Sequence, residues 1–263
     1  MQRLIQTVLI FTLTVFLSCR KDRDQPVPVS STNDLVRSID WANKGTELYY
    51  YNPDSTVSRT VASSPGTVTL TRDFKYQGGR LVEILKSGIL KEVFNYDNAD
   101  RVASITETQT GDNAYFGTRL EFRYNEEGLV SQLDYIEFDD LKTTLKSRSQ
   151  FEYKEGNLFR ITSSNEKQPS FLVTYTLEDY SENCYFSPWT RIEPFHLIDQ
   201  DYQIYNLPVQ KQFTRLPGRI VKEIRDNGVI QEKKTEEFDY EISNRRLNKV
   251  RYRSNNFTIS YTY

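Results

Sequence analysis

The sequence has few of the residues that enzymes most often use for chemistry. Among 263 residues there are two cysteines, Cys19 and Cys184, and one histidine, His196. If Cys19 is modified, Cys184 has no partner within the chain, which excludes a disulfide framework. A metal site needs clustered His, Cys, Asp or Glu ligands, and His196 stands alone. We therefore predict no metal site and no cofactor, and we expect Cys184 to be a small, partly buried apolar residue.

An excess of positive charge is also absent. The chain has 34 Lys and Arg against 36 Asp and Glu, so its charge does not favour binding to the phosphate backbone of a nucleic acid. We therefore exclude nucleic acid as a partner. The charges are spread along the chain, and adjacent acids such as Glu126-Glu127, Asp139-Asp140 and Glu236-Glu237 are interpreted as solvated surface. No phosphate-binding glycine loop and no nucleophile-elbow motif occur.

The N-terminal segment carries an apolar run that is too short to cross a bilayer. Leu4 to Leu17 is 14 residues, whereas a transmembrane helix needs about 20. Arg3 precedes the run, and Ser18-Cys19 ends it in a way that resembles the bacterial lipobox. We predict a signal peptide over 1–18 and a lipid on Cys19 that holds the protein on a membrane. The alternative is an uncleaved anchor helix.

The next segment has the composition of a flexible tether. Residues 19–40 are charged, then proline-rich, then rich in Ser and Thr, with no apolar periodicity. Cys19-Arg20-Lys21-Asp22 resembles the charged tags that send some Bacteroidetes lipoproteins to the cell surface. We therefore expect a lipid anchor in the outer membrane with display on the cell surface. A periplasm-facing position is the alternative.

The rest of the chain repeats one short aromatic unit. Each copy has an aromatic residue, any residue and a tyrosine, then a polar turn with Gly, Asn or Asp, then an aliphatic stretch; the copies begin at Phe74, Phe94, Phe122, Phe151 and Phe238. Side chains alternate along a strand, so both rings lie on one face, and the turn residues tolerate hairpin geometry. We predict one all-β domain over 41–263, an antiparallel meander of hairpins forming a curved or partly closed sheet.

The spacing of the aliphatic residues in each unit does not match a regular strand with one apolar face. Leu81 and Ile84 are three residues apart, as are Val102 and Ile105, and an odd spacing places side chains on opposite faces of a strand. Either a β-bulge returns both to one face, or the sheet is covered on both sides.

The repeated unit resembles the tyrosine–aspartate repeats of Rhs-type proteins. The pattern runs from an aromatic-x-Tyr pair to Gly79-Arg80-Leu81, and it is most similar to a group of uncharacterised Bacteroidetes lipoproteins built from such repeats. The resemblance covers roughly residues 45–263. It implies an architecture, but it carries no catalytic residues that can be transferred to this chain.

One segment, near 177–210, breaks the repeat. It holds three of the nine prolines, the only histidine and one of the two tryptophans, so we predict an irregular insert. Its aromatic residues either plug one end of the sheet or form a ligand surface. The candidate binding residues are Tyr185, Trp189, Phe195 and His196.

These features favour a binding or interaction module of the cell envelope. Its candidate partners are a glycan or an envelope protein, and the alternative is an enzyme acting on envelope or dietary polysaccharide. Acidic residues that converge with an aromatic platform at one end of the sheet would favour a glycan binder or an enzyme. A flat polar surface would favour a structural role.

Overall fold

The computed structural model describes residues 35–111, 116–139, 141–184 and 215–263. These residues form sixteen strands and one short 3-10 turn over Ala42–Lys44. The strands are β1 (Ser38–Asp40), β2 (Thr46–Tyr51), β3 (Val57–Ser64), β4 (Thr67–Gln77), β5 (Arg80–Lys86), β6 (Leu90–Tyr96), β7 (Val102–Gln109), β8 (Gly117–Tyr124), β9 (Val130–Phe138), β10 (Thr143–Lys154), β11 (Asn157–Asn165), β12 (Gln168–Tyr180), β13 (Pro217–Asp226), β14 (Val229–Ser243), β15 (Arg246–Tyr252) and β16 (Thr258–Thr262).

Each strand pairs antiparallel with the next one along the chain, and the sheet closes on itself as a barrel. The closing pair is β1 with β16, where Ser38 lies opposite Thr262 and Asp40 opposite Ser260. The predicted antiparallel meander of hairpins is therefore confirmed, and its closure is complete.

The barrel begins inside the segment that the sequence assigned to the tether. β1 has only three residues, and the side chains of Val36 and Ile39 are fully buried among those of other strands. A strand this short shows no periodicity in the sequence, which explains why pattern analysis placed residues 35–40 outside the domain.

A β-bulge in each repeat resolves the spacing of the aliphatic residues. Phe74 lies opposite Ile84 and Tyr76 lies opposite Leu81, so two positions on β4 face three on β5. The register shifts in the same way beside Tyr96, Tyr124 and Tyr153. The extra residue returns both aliphatic side chains to the interior, so the predicted bulge is confirmed.

Short polar residues fold the turns that join these paired strands. The side chain of Asn125 accepts hydrogen bonds from the backbone N–H groups of Glu127 and Leu129, and Gly128 has a φ of 76°. Asp97 accepts from the backbone of Ala99 and Arg101 in the equivalent turn. The side chains hold a backbone conformation in which a positive φ is required, and glycine adopts it without strain.

One end of the barrel, the closed end, is filled by the aromatic and aliphatic residues of the repeat. They form one continuous cluster that receives a side chain from nearly every strand. The repeat tyrosines form hydrogen bonds within this end of the barrel. Tyr96 donates to the carbonyl oxygen of Leu81 at 2.8 Å, and Tyr153 donates to that of Val130 at 2.8 Å. The same bond, from a repeat tyrosine to a backbone carbonyl of an adjacent hairpin, is made by Tyr51, Tyr124, Tyr180, Tyr240 and Tyr263.

This arrangement lets a phenol remain in an apolar interior, because its polar tip has a fixed acceptor. Burial raises the pKa of Tyr124 and Tyr153 well above the ordinary range, so both stay protonated and remain donors.

The outer wall of the barrel carries charges that pair across neighbouring strands. Arg59 contacts Asp73 at 2.5 Å, Lys233 contacts Glu223 at 2.8 Å, and Asp239 lies between Arg251 and Arg253. Charges on this face need water around them, so the wall is a hydrated surface. Within the described ranges, no helix is long and apolar enough to cross a membrane.

Candidate functional site

The opposite end of the barrel, the mouth, has a polar interior. Inward positions alternate along each strand, so the residue two places beyond a buried Phe or Ile also faces inward. At the mouth side of the core these positions are Arg72 before Phe74, Lys86 after Ile84, Glu92 before Phe94 and Glu107 after Ile105. The interior thus changes within one residue pair from rings and aliphatic chains to charged groups.

These four side chains and Glu47 form two ion groups, here together called the lumen cluster; Glu47, Lys86 and Glu92 are buried, and Arg72 and Glu107 are partly exposed. Arg72 contacts Glu47 at 2.8 Å. The Nζ of Lys86 lies 2.5 Å from Glu92 and 2.6 Å from Glu107. The cluster spans β2 and β4 to β7, and it lies directly above the aromatic core.

Burial makes the lumen cluster sensitive to protonation. Only 2% of Glu92 is exposed, and this burial raises the pKa of Glu92 above its ordinary value, while Lys86 opposes the rise. The Nζ of Lys86 lies beside Oε1 of Glu92, so this cation offsets part of the cost of burying the carboxylate. When all five groups are charged, three carboxylates face two cations. A proton on Glu92 leaves two of each, which suits an interior of low dielectric.

A cavity of about 380 Å³, here called the mouth cavity, adjoins this network. Glu107 belongs to both, since its carboxylate contacts Lys86 and its side chain lines the cavity. The other walls come from β6 to β10 and from the turns beside them, and they include Gln109, Phe116, Glu137, Phe138 and Lys146. Glu137 is held by Lys146 at 2.6 Å.

The ring of Phe138 is placed by the glycine opposite it. Gly117 pairs with Phe138 across β8 and β9, and a Cβ atom at Gly117 would lie only 2.5 Å from the Cζ of Phe138. Any larger residue would push this ring away or force the strand to shift. Gly117 therefore gives the cavity an aromatic wall that lies close against the sheet.

The mouth cavity combines two kinds of surface. Carboxylates and an amide can accept or donate hydrogen bonds, and the phenyl rings offer apolar faces. Hydroxyl-rich ligands with apolar C–H faces match this combination. In the part of the chain that the structure describes, no group of three or more His, Cys, Asp or Glu is arranged to hold a metal ion.

The residues that the sequence singled out lie mostly outside this site. Cys19, Tyr185, Trp189, Phe195 and His196 all fall outside the described residues. The insert was predicted near 177–210; in the structure β12 continues to Tyr180, and Leu177 is a core residue. The strand persists because Leu177 still alternates inward opposite Ile220.

Cys184 lies in the closed end, where it packs as a small apolar residue, as the sequence predicted. It belongs to the buried cluster, and burial raises the pKa of its thiol to about 12. The thiol is therefore protonated at neutral pH and is a poor nucleophile.

Sequence reasoning missed the lumen cluster because charged residues were assigned to the surface. Glu236, one of a pair interpreted as solvated, is buried and accepts a hydrogen bond from Ser254 at 2.8 Å. Its neighbour Glu237 faces outward and contacts Arg253. The signal was present: Glu92 and Glu236 each precede the Phe of a repeat by two residues, which places them on the inward face.

Comparison with known proteins shows the fold and little more. No protein-family model matches the chain, and no curated protein shows significant sequence similarity. A porin-like protein from Bacteroides vulgatus ATCC 8482 matches with a TM-score of 0.58 and 12% identity, over 87% of this chain and 98% of that one. A porin-like protein from Bacteroides uniformis ATCC 8492 matches with a TM-score of 0.53 and 13% identity, over 86% and 97%. This chain therefore shares their barrel fold.

A chain of the Photorhabdus luminescens Tc holotoxin pore also matches, with 12% identity over 79% of this chain and 11% of that one. Its TM-score of 0.29 supports no argument about this protein. The resemblance to Rhs-type repeats thus stays a prediction from sequence.

Proposed function

We propose that the protein is a lipid-anchored binding module of the cell envelope whose ligand is a saccharide held in the mouth cavity. The observation that carries the proposal is the convergence of Glu107, Glu137 and Gln109 with Phe116 and Phe138 around one cavity. Carboxylates and amides bind sugar hydroxyls, and a phenyl face accepts the C–H face of a sugar ring. A cavity of about 380 Å³ is within the usual size range for small-ligand sites.

The mode of membrane attachment in this proposal comes from Cys19 and its preceding apolar run. The hydrated outer wall supports it, because a barrel with paired charges on its outside needs another element to hold it at a membrane. We propose the outer membrane, with the barrel on the cell surface, and a periplasm-facing position remains the alternative. Changing Cys19→Ala should leave a product that either is soluble or still carries residues 1–18, and that carries no lipid in either case. A processed product that still fractionates with the membrane as the parent does contradicts the anchor.

The saccharide proposal is tested by screening the purified protein on a glycan array and titrating each hit by calorimetry. Glu137→Gln and Phe138→Leu should each weaken binding by about tenfold or more, because each removes a contact within the cavity. Glu152→Gln is the matched control, since Glu152 makes its ion pair with Arg160 on the outer wall. The proposal fails if no glycan binds, or if the cavity variants bind as tightly as the control.

The same incubations also test the enzyme alternative. Two carboxylates, Glu107 and Glu137, line one cavity, and glycoside hydrolysis uses a pair of carboxylates. New reducing ends that disappear in Glu137→Gln would favour a hydrolase. A bound and intact glycan favours the binding module.

A further inference from the structure

The mouth of the barrel is rimmed by exposed apolar side chains. Eight large apolar residues are exposed in the described part of the chain, and six of them lie in or within two residues of the hairpin turns at this end. These six, here called the apolar rim, are Val68, Ile89, Phe116, Leu141, Val229 and Ile230. The other two, Leu48 and Tyr50, lie on the side wall in β2.

The rim residues are distributed over separate hairpins. They come from the turns β3–β4, β5–β6, β7–β8, β9–β10 and β13–β14, around most of the circumference. Polar residues separate them: Leu141, which is 96% exposed, lies between Asp140 and Lys142 in the sequence. A protein partner needs a continuous patch of about 800 Å² on each side, which such isolated tips do not offer. A lipid bilayer, in contrast, can bury each of these separate side chains without a continuous patch between them.

We propose that the apolar rim docks the mouth of the barrel onto a lipid bilayer, with the tip side chains inserted at the level of the headgroups. The inference rests on the proposed lipid anchor at Cys19, because the anchor keeps the barrel within reach of a bilayer. The cavity then opens onto the headgroup layer.

The length of the N-terminal segment permits this orientation. The chain joins the barrel at the closed end, where Tyr51 donates a hydrogen bond to the carbonyl of Val36. Fifteen residues separate Cys19 from Leu35, and a fully extended chain of that length reaches about 50 Å. The longest strand, β14, has 15 residues and is also about 50 Å long. Because barrel strands tilt, the barrel is shorter than this, so the tether can reach past its wall.

The residues next to the tips in the sequence carry no excess of basic side chains. Asp139, Asp140 and Lys142 adjoin Leu141, and Glu166 and Lys167 form the turn between β11 and β12. The contact therefore depends on apolar insertion, and vesicles of phosphatidylcholine alone should suffice. Binding should change little between 50 and 500 mM salt, roughly the range over which electrostatic attraction is screened.

The test is co-sedimentation with phosphatidylcholine vesicles of the mature chain that begins at residue 19 and carries Cys19→Ala, so that neither the lipid nor the apolar run of residues 4–17 contributes to binding. The triple variant Ile89→Ser, Leu141→Ser, Val229→Ser should have a vesicle partition coefficient at least about tenfold lower than that of the parent. Each change removes an apolar side chain that would otherwise be inserted into the bilayer. The double variant Leu48→Ser, Tyr50→Ser is the matched control on the side wall and should bind as the parent does. Thermal melting of all three chains verifies that they fold.

Three outcomes overturn the proposal. The parent chain does not bind vesicles, the triple variant binds as well as the parent, or the parent is a dimer that the triple variant converts to a monomer without any vesicle binding. Saccharide binding in solution is measured on the same proteins. Vesicle binding that fails while saccharide binding persists rejects the rim alone, and the reverse result rejects the saccharide site alone.

Discussion

The two ends of the barrel are made by the same strands but use their inward positions differently. At the closed end these positions carry Phe, Tyr and aliphatic residues, which pack into one cluster, as Phe94 packs with Ile84 and Ile105. At the mouth the next inward positions carry Glu92, Lys86 and Glu107. Side chains alternate between inward and outward in the same way along the whole strand. The two ends therefore differ only in which side chains occupy the inward positions: apolar ones stabilise the closed end, and polar ones at the mouth are available for binding.

The largest effect should separate the two ends directly. Phe122→Ala removes a buried ring from the closed end and should lower the free energy of unfolding by about 3–5 kcal/mol. Phe116→Ala makes the same change at the exposed rim and should alter it by less than about 0.5 kcal/mol. Urea unfolding of both variants measures the contrast. Equal losses would show that the mouth contributes to stability as much as the core does.

Removing the positive charge of Lys86 tests whether the ion pairs at the mouth stabilise the fold. Lys86→Met leaves Glu92 and Glu107 without their shared counter-ion and should lower the free energy of unfolding by about 3 kcal/mol. Lys249→Met makes the same change in the exposed pair with Glu241 and should have little effect. If the two variants unfold at the same urea concentration, the lumen cluster is energetically equivalent to the outer wall.

A smaller effect should come from the tyrosine hydroxyls of the closed end. Tyr153→Phe leaves the carbonyl of Val130 without this donor and should lower the free energy of unfolding by about 1–2 kcal/mol. Tyr50→Phe removes a hydroxyl from the exposed side wall and is the control. Calorimetric melting of the two variants should show a lower Tm for Tyr153→Phe only. An unchanged Tm for that variant would mean that water replaces the lost donor.

The smallest effect expected is a dependence of stability on pH that arises from Glu92. Its folded-state pKa is raised by burial, so folding favours its protonated form. The stabilisation from this group is complete below its unfolded pKa of about 4.3 and is lost as pH rises through the raised folded value. Lys86 offsets part of the shift, which limits the size of the effect.

Glu92→Gln should therefore gain stability relative to the parent as pH rises, with little difference at pH 4, as measured by urea unfolding across the range. A constant difference between the two proteins at every pH would show that Glu92 does not change its protonation on folding.

The local parts of this fold could be predicted from the sequence, and the closure could not. Phe-x-Tyr pairs, turn residues such as Asn125 and Gly128, and the odd spacing of Val102 and Ile105 all act within one hairpin. Closure depends on β1, three residues long, meeting β16 more than 200 residues later. Nothing local marks that pairing. The site was missed for a different reason. Charged residues on strands were interpreted as outward-facing, although Glu92 lies two residues before Phe94 and therefore faces inward as Phe94 does.

The seam between β1 and β16 has a consequence for how the chain folds. Residues 38 and 262 are among the most distant partners in sequence, so their pairing has the largest loop-closure entropy and should form late. Until it forms, two strand edges remain open, and open edges are the usual sites of association between incompletely folded chains. β16 therefore completes the barrel, and loss of this strand would leave the edges of β1 and β15 unpaired at the same time.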